Sequence, residues 1–126
     1  MKFNIKTDGF ISSFSLESRV QEENLNSDEK KPAELNIKAS VHKKEIFEDK
    51  EYITKLEISI KTDAFVLNLT HQFFIEFERK LRKADQESDK VRNLLINNLY
   101  PYSRAFIIST LSNGGYGSVN VPIFTL

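Results

Sequence analysis

Residues 65–77 read FVLNLTHQFFIEF, and large apolar side chains occupy every second position from Phe65 to Phe77 except at His71. Successive side chains of a β-strand point to opposite faces of its sheet, so a period of two indicates a strand with one covered face. Polar residues fill most of the intervening positions, which is typical of an antiparallel sheet. The stretch therefore predicts a long strand of an antiparallel sheet that is covered on one face.

Three earlier stretches repeat this alternation and predict three more strands, at residues 3–16, 35–41 and 56–60. The charged segment 47–51 and the turn 62–64 are short, so they predict hairpins between the last three strands. Residues 19–33 differ because they are charged, contain few large apolar side chains and include Pro32. We expect this segment to form a crossover loop between the first and second strands.

The first stretch changes its phase along its length. Phe3 and Ile5 share the odd positions, whereas the apolar residues after Asp8-Gly9 occupy even ones. A single inserted residue produces such a change, and aspartate and glycine favour irregular backbone positions. We therefore predict a bulge at Asp8-Gly9. It places three apolar side chains on one face of the strand, those of Phe10, Phe14 and Leu16.

After Lys80 the period changes to that of an α-helix. Apolar residues recur at helical spacing within 91–99, and the helical pattern resumes after Pro101 and continues to Leu111. A proline inside a helical pattern removes an amide donor and crowds the preceding turn, so we predict a kink there. The glycines that follow Asn113 predict the end of the helix.

The elements together predict a single α+β domain over residues 1–126. A kinked C-terminal helix covers one face of a four-stranded antiparallel sheet. The helix is apolar on two sides, and its second side needs a partner other than its own sheet. Ile11 and Phe74 are also apolar on strand faces that are otherwise polar. We therefore predict an oligomer interface at Ile11, Phe74, Phe106, Ile107, Ile108 and Leu111.

The composition excludes several functions. The 126-residue chain carries 18 basic and 18 acidic side chains, no cysteine and ten phenylalanines. Zero net charge argues against nucleic-acid binding, and a chain without cysteine forms neither disulfides nor thiolate metal sites. No segment approaches the roughly 20 apolar residues of a membrane span, and the N-terminus lacks a secretory pattern. We expect a cytoplasmic protein without membrane insertion, whose phenylalanines form core or adhesive surface.

No group of residues supports catalysis. His71 lies in the apolar phase of its strand, which is compatible with a buried acid–base group or metal ligand. We favour a core histidine that is hydrogen-bonded to a neighbour, because no second histidine or carboxylate shares that face. The carboxylates lie in charged runs, and the glycine-rich loop 114–117 follows a helix rather than opening one. We expect no enzymatic activity, no metal and no cofactor.

The segment Asn98-Leu99-Tyr100-Pro101-Tyr102-Ser103-Arg104 resembles a helix motif of the SecB family of bacterial protein-export chaperones. That family shows Asn-x-Leu-Phe-Pro-Tyr-Ala-Arg at this place, so Tyr100 stands for Phe and Ser103 for Ala. Residues 114–116 are similar to the glycine–aromatic loop of the family, and residues 119–122 to its Leu-Asn-Leu-x-Pro stretch. The residue resemblance covers about residues 98–124, and the order of elements resembles the family along the whole chain.

The resemblance implies an ATP-independent holdase that keeps unfolded or extended polypeptides competent for export. It also implies assembly as a dimer or a dimer of dimers, with clients in hydrophobic grooves between sheet, crossover loop and helix. Pro101, Tyr102 and Arg104 are expected to shape the helix and its packing rather than to touch a client. The residues expected to contact clients are Phe10, Phe14, Leu16, Tyr116, Val119, Val121, Ile123 and Phe124.

Three features depart from the family pattern. The chain ends at Leu126, where the family continues into a second C-terminal helix, so we expect a divergent, shortened member. The outer face of the second and third strands mixes acidic and basic residues, whereas the family docks the translocase motor on an acidic face. This speaks against motor binding. The crossover loop 19–33 is charged, whereas the loop of the family carries aromatic residues.

Two other functions remain open. The same scaffold can serve as an interaction protein that binds one specific partner, such as an antitoxin or a phage protein. A small-ligand or catalytic domain with His71 in its pocket fits less well, because no further chemical group accompanies His71 in the sequence.

Overall fold

A computed structural model describes residues 1–19, 33–116 and 121–123 of the chain. Most of the predicted crossover loop, residues 20–32, lies outside the described residues, as do Val119 and Phe124. The four predicted strands and the predicted long helix are present, and one additional short helix precedes the long one. The elements are β1 (Phe3–Ser18), β2 (Glu34–His42), β3 (Glu51–Lys61), β4 (Phe65–Phe77), α1 (Lys83–Gln86) and α2 (Asp89–Asn113).

The four strands form one antiparallel sheet in the order β1-β4-β3-β2. β2, β3 and β4 are joined as the two predicted hairpins, and β4 lies between β3 and β1. β1 and β2 therefore occupy opposite edges, which explains why the chain needs a long connection between them. The predicted α+β class, with a helix on one face of a four-stranded antiparallel sheet, is confirmed.

The phase of β1 corrects one sequence prediction. The pairing of β1 with β4 is irregular at three places, between Ile5 and Thr7, between Thr7 and Phe10, and between Ile11 and Ser13. The last irregularity produces the net change of phase, because Ile11 still pairs with His71 of the covered face. Phe10 pairs with Gln72 and so belongs to the outer face, where its side chain is 57% exposed. The prediction that Phe10 shares a face with Phe14 is therefore wrong.

The core lies between the covered face of the sheet and α2. Phe65, Phe73 and Phe77 of β4 are at most 2% exposed, as the alternation of that strand predicts. Two buried tyrosines find partners for their hydroxyl groups: Tyr52 Oη accepts a hydrogen bond from the amide of Leu81 at 3.1 Å, and Tyr100 Oη donates one to a carbonyl beyond the helix. Buried tyrosines usually need such partners, so both bonds stabilise the positions of the rings.

Helix α2 begins at a serine cap and continues through its proline. Ser88 Oγ accepts hydrogen bonds from the amides of Lys90 and Val91, which satisfies two donors of the first turn. Pro101 lies inside the helix, which continues beyond it to Asn113. The amide of Gly114 donates to the Thr110 carbonyl, and Gly115 has a φ of 89°, a conformation that favours glycine.

One core position predicts a stabilising substitution. In the described part of the chain, Thr54 Oγ1 is buried without a hydrogen-bond partner. A valine of similar shape removes this unsatisfied hydroxyl, so Thr54→Val is expected to raise the free energy of unfolding by about 1 kcal/mol. Urea unfolding measures the change. The matched control is Thr62→Val, which is expected to destabilise because Thr62 Oγ1 accepts from the amides of Ala64 and Phe65, each at 3.1 Å. A loss of stability in Thr54→Val would contradict the prediction.

Candidate functional site

An apolar groove runs between β1 and α2 on the covered side of the sheet. Its residues belong to the face of β1 that points toward the core and to the flank of α2 nearest to β1. Tyr102 of α2 is 56% exposed, and Ile5 of β1 is 36% exposed. We call this surface the β1–α2 groove and define it by Ile5, Ile11, Phe14 and Leu16 of β1 with Tyr102 and Phe106 of α2.

Two cavities open along this groove near the start of β1. The first, of about 410 Å³, is lined by Ile5, Gly9, His71 and Tyr102 among others. The second, of about 480 Å³, shares Ile5 and Tyr102 and extends to Phe3. Because the two cavities share Ile5 and Tyr102, they adjoin each other, and Lys2, Lys6 and Asn98 add polar groups to their walls.

Two aromatic rings meet across the groove further along β1. The centroids of the Phe14 and Phe106 rings lie 5.7 Å apart, and their planes are inclined by 87°. This edge-to-face geometry is a favourable arrangement of aromatic rings. Phe14 nevertheless remains 39% exposed, so its ring offers apolar surface to a further molecule. Leu16, on the same face, is half-buried and packs against the core.

Tyr116 lies beside the C-terminal end of β1. Its ring contacts Phe65 with a centroid distance of 5.1 Å, and its hydroxyl is hydrogen-bonded to Ser18 Oγ. The predicted client residues Phe14, Leu16 and Tyr116 therefore lie on one side of the molecule. Ile123, also predicted, is 70% exposed and follows a segment that packs on the opposite flank of α2.

His71 is a core histidine with a single hydrogen-bond partner on the helix. It is 7% exposed, and its Nδ1 lies 2.8 Å from Ser103 Oγ. Its ring stacks on Phe73 with a centroid distance of 4.2 Å. The preferred interpretation of His71 as a hydrogen-bonded core residue is confirmed. Ser103 is completely buried, so its hydroxyl orients the imidazole and is not accessible as a nucleophile.

The close approach of β1 to His71 depends on Gly9. A Cβ atom added to Gly9 would lie 2.6 Å from Phe73 Cε1 and 2.7 Å from His71 Nε2. Both distances are far below van der Waals contact, so only glycine fits between the strand and the two rings. The glycine that the sequence places in an irregular segment is therefore required for packing at the mouth of the first cavity.

Acidification is expected to destabilise the fold through His71. Burial lowers the pKa of His71 from its ordinary value of 6.5, because the charged imidazolium is poorly solvated there. Below about pH 6.5 the unfolded chain binds a proton at His71 that the folded chain does not. With respect to His71, folding stability is therefore highest above that pH, where His71 is neutral in both states, and it decreases as the pH falls below it. Urea unfolding at about pH 7.5 and about pH 5.5 should show a smaller drop in stability for His71→Gln than for the unaltered chain. Equal drops would contradict this role.

The opposite flank of α2 contacts residues 121–123. Tyr100 Oη donates to the Pro122 carbonyl at 2.6 Å, and Arg104 Nε donates to the Val121 carbonyl at 3.1 Å. Val121 is only 3% exposed. Val121, which the sequence predicts as a groove or client contact, therefore packs into the core in this structure and is not accessible to a client while the segment stays in place. The predicted structural role of Arg104 agrees with its bond to this segment.

The residues predicted at an oligomer interface separate into two groups. Ile107 and Leu111 are at most 2% exposed, and Ile11 packs against the core from the covered face. The side chains of Ile107 and Leu111 stabilise the subunit itself, so their interface assignment is corrected, whereas Ile11 is half-buried and its assignment stays a prediction. Phe74 is half-buried on the outer face under Phe47, at a centroid distance of 5.1 Å. Phe106 lines the groove. Ile108 is 39% exposed, which is the highest exposure among the residues predicted at the interface.

Three features of the site were missed in the sequence. The sequence pattern indicates no site role for Ile5, although Ile5 lines both cavities, and it does not identify Ser103 as the partner of His71. Phe47 covers Phe74 from the loop between β2 and β3. The charged residues around Phe47 do not indicate apolar packing in this loop. Helical spacing is the sequence signal that could indicate the α2 side of the groove, since Tyr102 and Phe106 lie one turn apart on one flank.

The described residues offer little for other chemistry. Across residues 1–19, 33–116 and 121–123, the histidine and carboxylate side chains form no cluster that could hold a metal ion. Within the same ranges, neither helix combines the length and the apolar character that crossing a bilayer requires.

Comparisons with known proteins agree on the fold. No protein-family model and no curated protein sequence matches the chain. Among solved structures, a SecB-like chaperone from Mycobacterium tuberculosis, in complex with a ChAD peptide from the HigA1 antitoxin, superposes with a TM-score of 0.66 at 10% identity. The match covers 98% of this chain and 90% of that one. A protein of unknown function from Streptococcus agalactiae superposes with a TM-score of 0.62 at 13% identity, over the full length of both chains. The chain therefore has a SecB-like fold.

Proposed function

We propose that this chain is an ATP-independent holdase that binds unfolded or extended polypeptides in the β1–α2 groove. One observation carries the proposal: aromatic and aliphatic side chains remain partly exposed along a groove beside a well-packed core. Phe14 is 39% and Tyr102 56% exposed, although both touch core or groove aromatic rings. The proposal assigns no catalytic residue and no cofactor, and it places the protein in the cytosol.

The physical character of the groove suits many sequences. Burial of apolar surface is non-directional and roughly proportional to area, so aromatic walls can accept different side chains. β1 follows the 13 residues of β4, which span roughly 40 Å at about 3.3 Å per residue. A client segment of similar length can lie along it.

A neighbour of the same fold supports polypeptide as the class of ligand. The SecB-like chaperone of Mycobacterium tuberculosis was solved with an antitoxin peptide. The same observation favours a second candidate function, in which this chain binds one specific partner such as an antitoxin or a phage protein. The two functions share the groove and differ in the number of polypeptides that it accepts.

A panel of clients separates the two functions. Three or more unrelated proteins are diluted from denaturant with equimolar amounts of the chain and without ATP, and light scattering follows their aggregation. A holdase delays aggregation of most of them. Protection of a single protein supports the specific partner, and protection of none contradicts polypeptide binding by this chain.

The proposal does not include docking on a translocase motor. The outer faces of β2 and β3 place Lys38 opposite Glu57, and on the outer face of the sheet Lys6 Nζ lies 3.0 Å from Glu76 and 3.8 Å from Glu51. These paired charges leave no continuous acidic surface in this part of the described chain. An export role of the holdase therefore stays outside the proposal.

Self-association is part of the proposal. Phe10 on the outer face of the sheet is 57% exposed and Ile108 on α2 is 39% exposed, and we propose these two apolar side chains on regular elements, rather than Ile46 in a loop, as subunit contacts. Multi-angle light scattering at micromolar concentration is expected to give a dimer or a dimer of dimers. Ile108→Glu should shift the mass toward the monomer, with Ile46→Glu in the loop between β2 and β3 as the control. A monomer for the unaltered chain would contradict self-association.

A further inference from the structure

Helix α2 has two flanks that can hold a polypeptide. Positions 102 and 106 face β1, and positions 100 and 104 lie two residues earlier on the helix. At about 100° per residue, the two pairs are roughly 200° apart around the axis. The first flank forms one wall of the β1–α2 groove. The second flank is covered by residues 121–123 of the chain itself, which we call the tail segment.

The contacts of the tail segment are mainly to its backbone. Tyr100 Oη and Arg104 Nε each donate a hydrogen bond to a main-chain carbonyl, of Pro122 and Val121 respectively. Every polypeptide presents such carbonyl groups, so these two bonds do not depend on the side chains of the bound segment. Val121 inserts its side chain, which is 3% exposed, Pro122 is half-buried, and Ile123 remains 70% exposed.

The tail segment is not paired with the sheet. The structure assigns neither strand nor helix to residues 121–123, and Pro122 has no amide to donate. Within residues 121–123, the described attachment consists of two side-chain hydrogen bonds and the burial of Val121. Residues 121–123 belong to no strand of the sheet, so this segment can exchange with another chain without disrupting a strand.

We infer that this flank of α2 is a second polypeptide-binding site and that the tail segment occupies it in competition with clients. The ligand is an extended segment with one aliphatic side chain in the place of Val121 and two main-chain carbonyls that accept from Tyr100 and Arg104. A client anchored in the β1–α2 groove reaches both flanks at high effective concentration, which favours displacement of the tail segment. The inference about client displacement rests on the proposed function.

A peptide in trans tests the site without any client. The probe is a fluorescein-labelled peptide of residues 117–126, GSVNVPIFTL. Val121→Ala removes most of the inserted side chain from the resident tail segment and is expected to raise the affinity for the probe about fivefold or more, because a weaker occupant leaves the site free for longer. Ile123→Ala, at an exposed position of the same segment, is the matched control and should bind the probe like the unaltered chain.

Variants of the donors separate site binding from nonspecific adhesion. Tyr100→Phe keeps the ring and removes one hydrogen bond, so in the Val121→Ala background it should weaken probe binding severalfold. The β1–α2 groove can also take up the probe, so every affinity is measured in a Phe14→Glu background, which removes that contribution. Equal affinity of the probe for Val121→Ala and for the chain that keeps Val121 would overturn the inference, and so would an affinity that does not change with Tyr100→Phe.

A label on the tail segment tests its displacement by clients. The chain has no cysteine, so Ile123→Cys accepts a single fluorophore at an exposed position. Addition of an unfolded client should lower the fluorescence anisotropy of this label as the segment leaves α2. Client binding measured separately, with no change in the label, would contradict displacement. If no client binds at all, the proposed function fails, whereas the probe experiment still decides whether the second site exists.

Discussion

Phe14→Glu is expected to lower the affinity for unfolded polypeptides by at least about tenfold while the fold remains intact. The Phe14 ring is 39% exposed and meets Phe106 edge to face, so it offers apolar surface at the centre of the β1–α2 groove. A glutamate removes that surface and adds a charge that a bound apolar side chain would have to desolvate. Fluorescence anisotropy of a labelled unfolded client, titrated with the chain, measures the loss.

Two further variants test whether the loss of affinity is specific to the β1–α2 groove. Ile46→Glu introduces the same charge at a position that is 87% exposed in the loop between β2 and β3, and it should leave client affinity unchanged. Phe106→Glu should weaken binding as Phe14→Glu does, and the double variant should lose less than the sum, because both substitutions disrupt one aromatic pair. Circular dichroism and urea unfolding verify the fold of each variant. If Ile46→Glu reduces affinity as strongly, the groove is not the site.

Gly9→Ala is expected to destabilise the fold by about 1–3 kcal/mol, the usual range for overpacking in a core. The added methyl group would lie 2.6 Å from Phe73 Cε1 and 2.7 Å from His71 Nε2. Neither ring can yield easily, because they stack on each other and His71 is bonded to Ser103 on α2. Relief therefore requires β1 to move away from the sheet. Urea unfolding measures the loss, and a cost below about 0.5 kcal/mol would contradict the role given to Gly9.

A second substitution locates the strain of Gly9→Ala. Phe73→Leu shortens the side chain that the new methyl group meets, so Gly9→Ala should be less destabilising in that background than in the unaltered chain. Gly114→Ala is the control glycine. Its φ is −86°, and the nearest atom to an added Cβ, the Thr110 carbonyl oxygen, lies at 3.3 Å. That substitution should cost clearly less than Gly9→Ala.

The regular strands could be predicted from the sequence because their alternation is undisturbed. β4 keeps one phase from Phe65 to Phe77, and each side chain of that phase is buried. β1 could not be predicted as well, because any odd number of insertions before Phe14 produces the observed change of phase. Apolar side chains at both Phe10 and Ile11 made the position of the change ambiguous. Only the pairing of Ile11 with His71 resolves it.

The predictions for α2 failed where the contacts are long-range in sequence. A helix that is apolar on two sides indicates two partners, and the sequence suggested a second subunit for residues such as Ile107 and Leu111. The structure shows that both side chains are buried within the subunit, on the side of the helix where Val121 also becomes buried. Helical periodicity describes the surface of a helix and carries no information about which distant segment returns to cover it.

Only some of the residues that line the candidate site could be predicted from the sequence. The resemblance in residues 98–104 points to the helix that borders the proposed groove, and Phe14, Leu16 and Tyr116 lie on that side of the molecule. Ile5 takes part because it keeps the phase of Phe3 and pairs regularly with Ile75, whereas Gly9 takes part because the irregular pairing after Ile5 brings it against His71 and Phe73. Such placement depends on the register between β1 and β4, which local sequence does not encode.

The irregular pairing of β1 also affects the edge of the sheet that β1 forms. β1 uses 16 residues to follow the 13 residues of β4, and it lies at an edge of the sheet. The extra residues lie between Ile5 and Ser13, where they twist and bend the edge strand and interrupt the regular spacing of its outward amide and carbonyl groups. An exposed regular edge is a template for further strands. This part of β1 is therefore a poor template for cross-β growth.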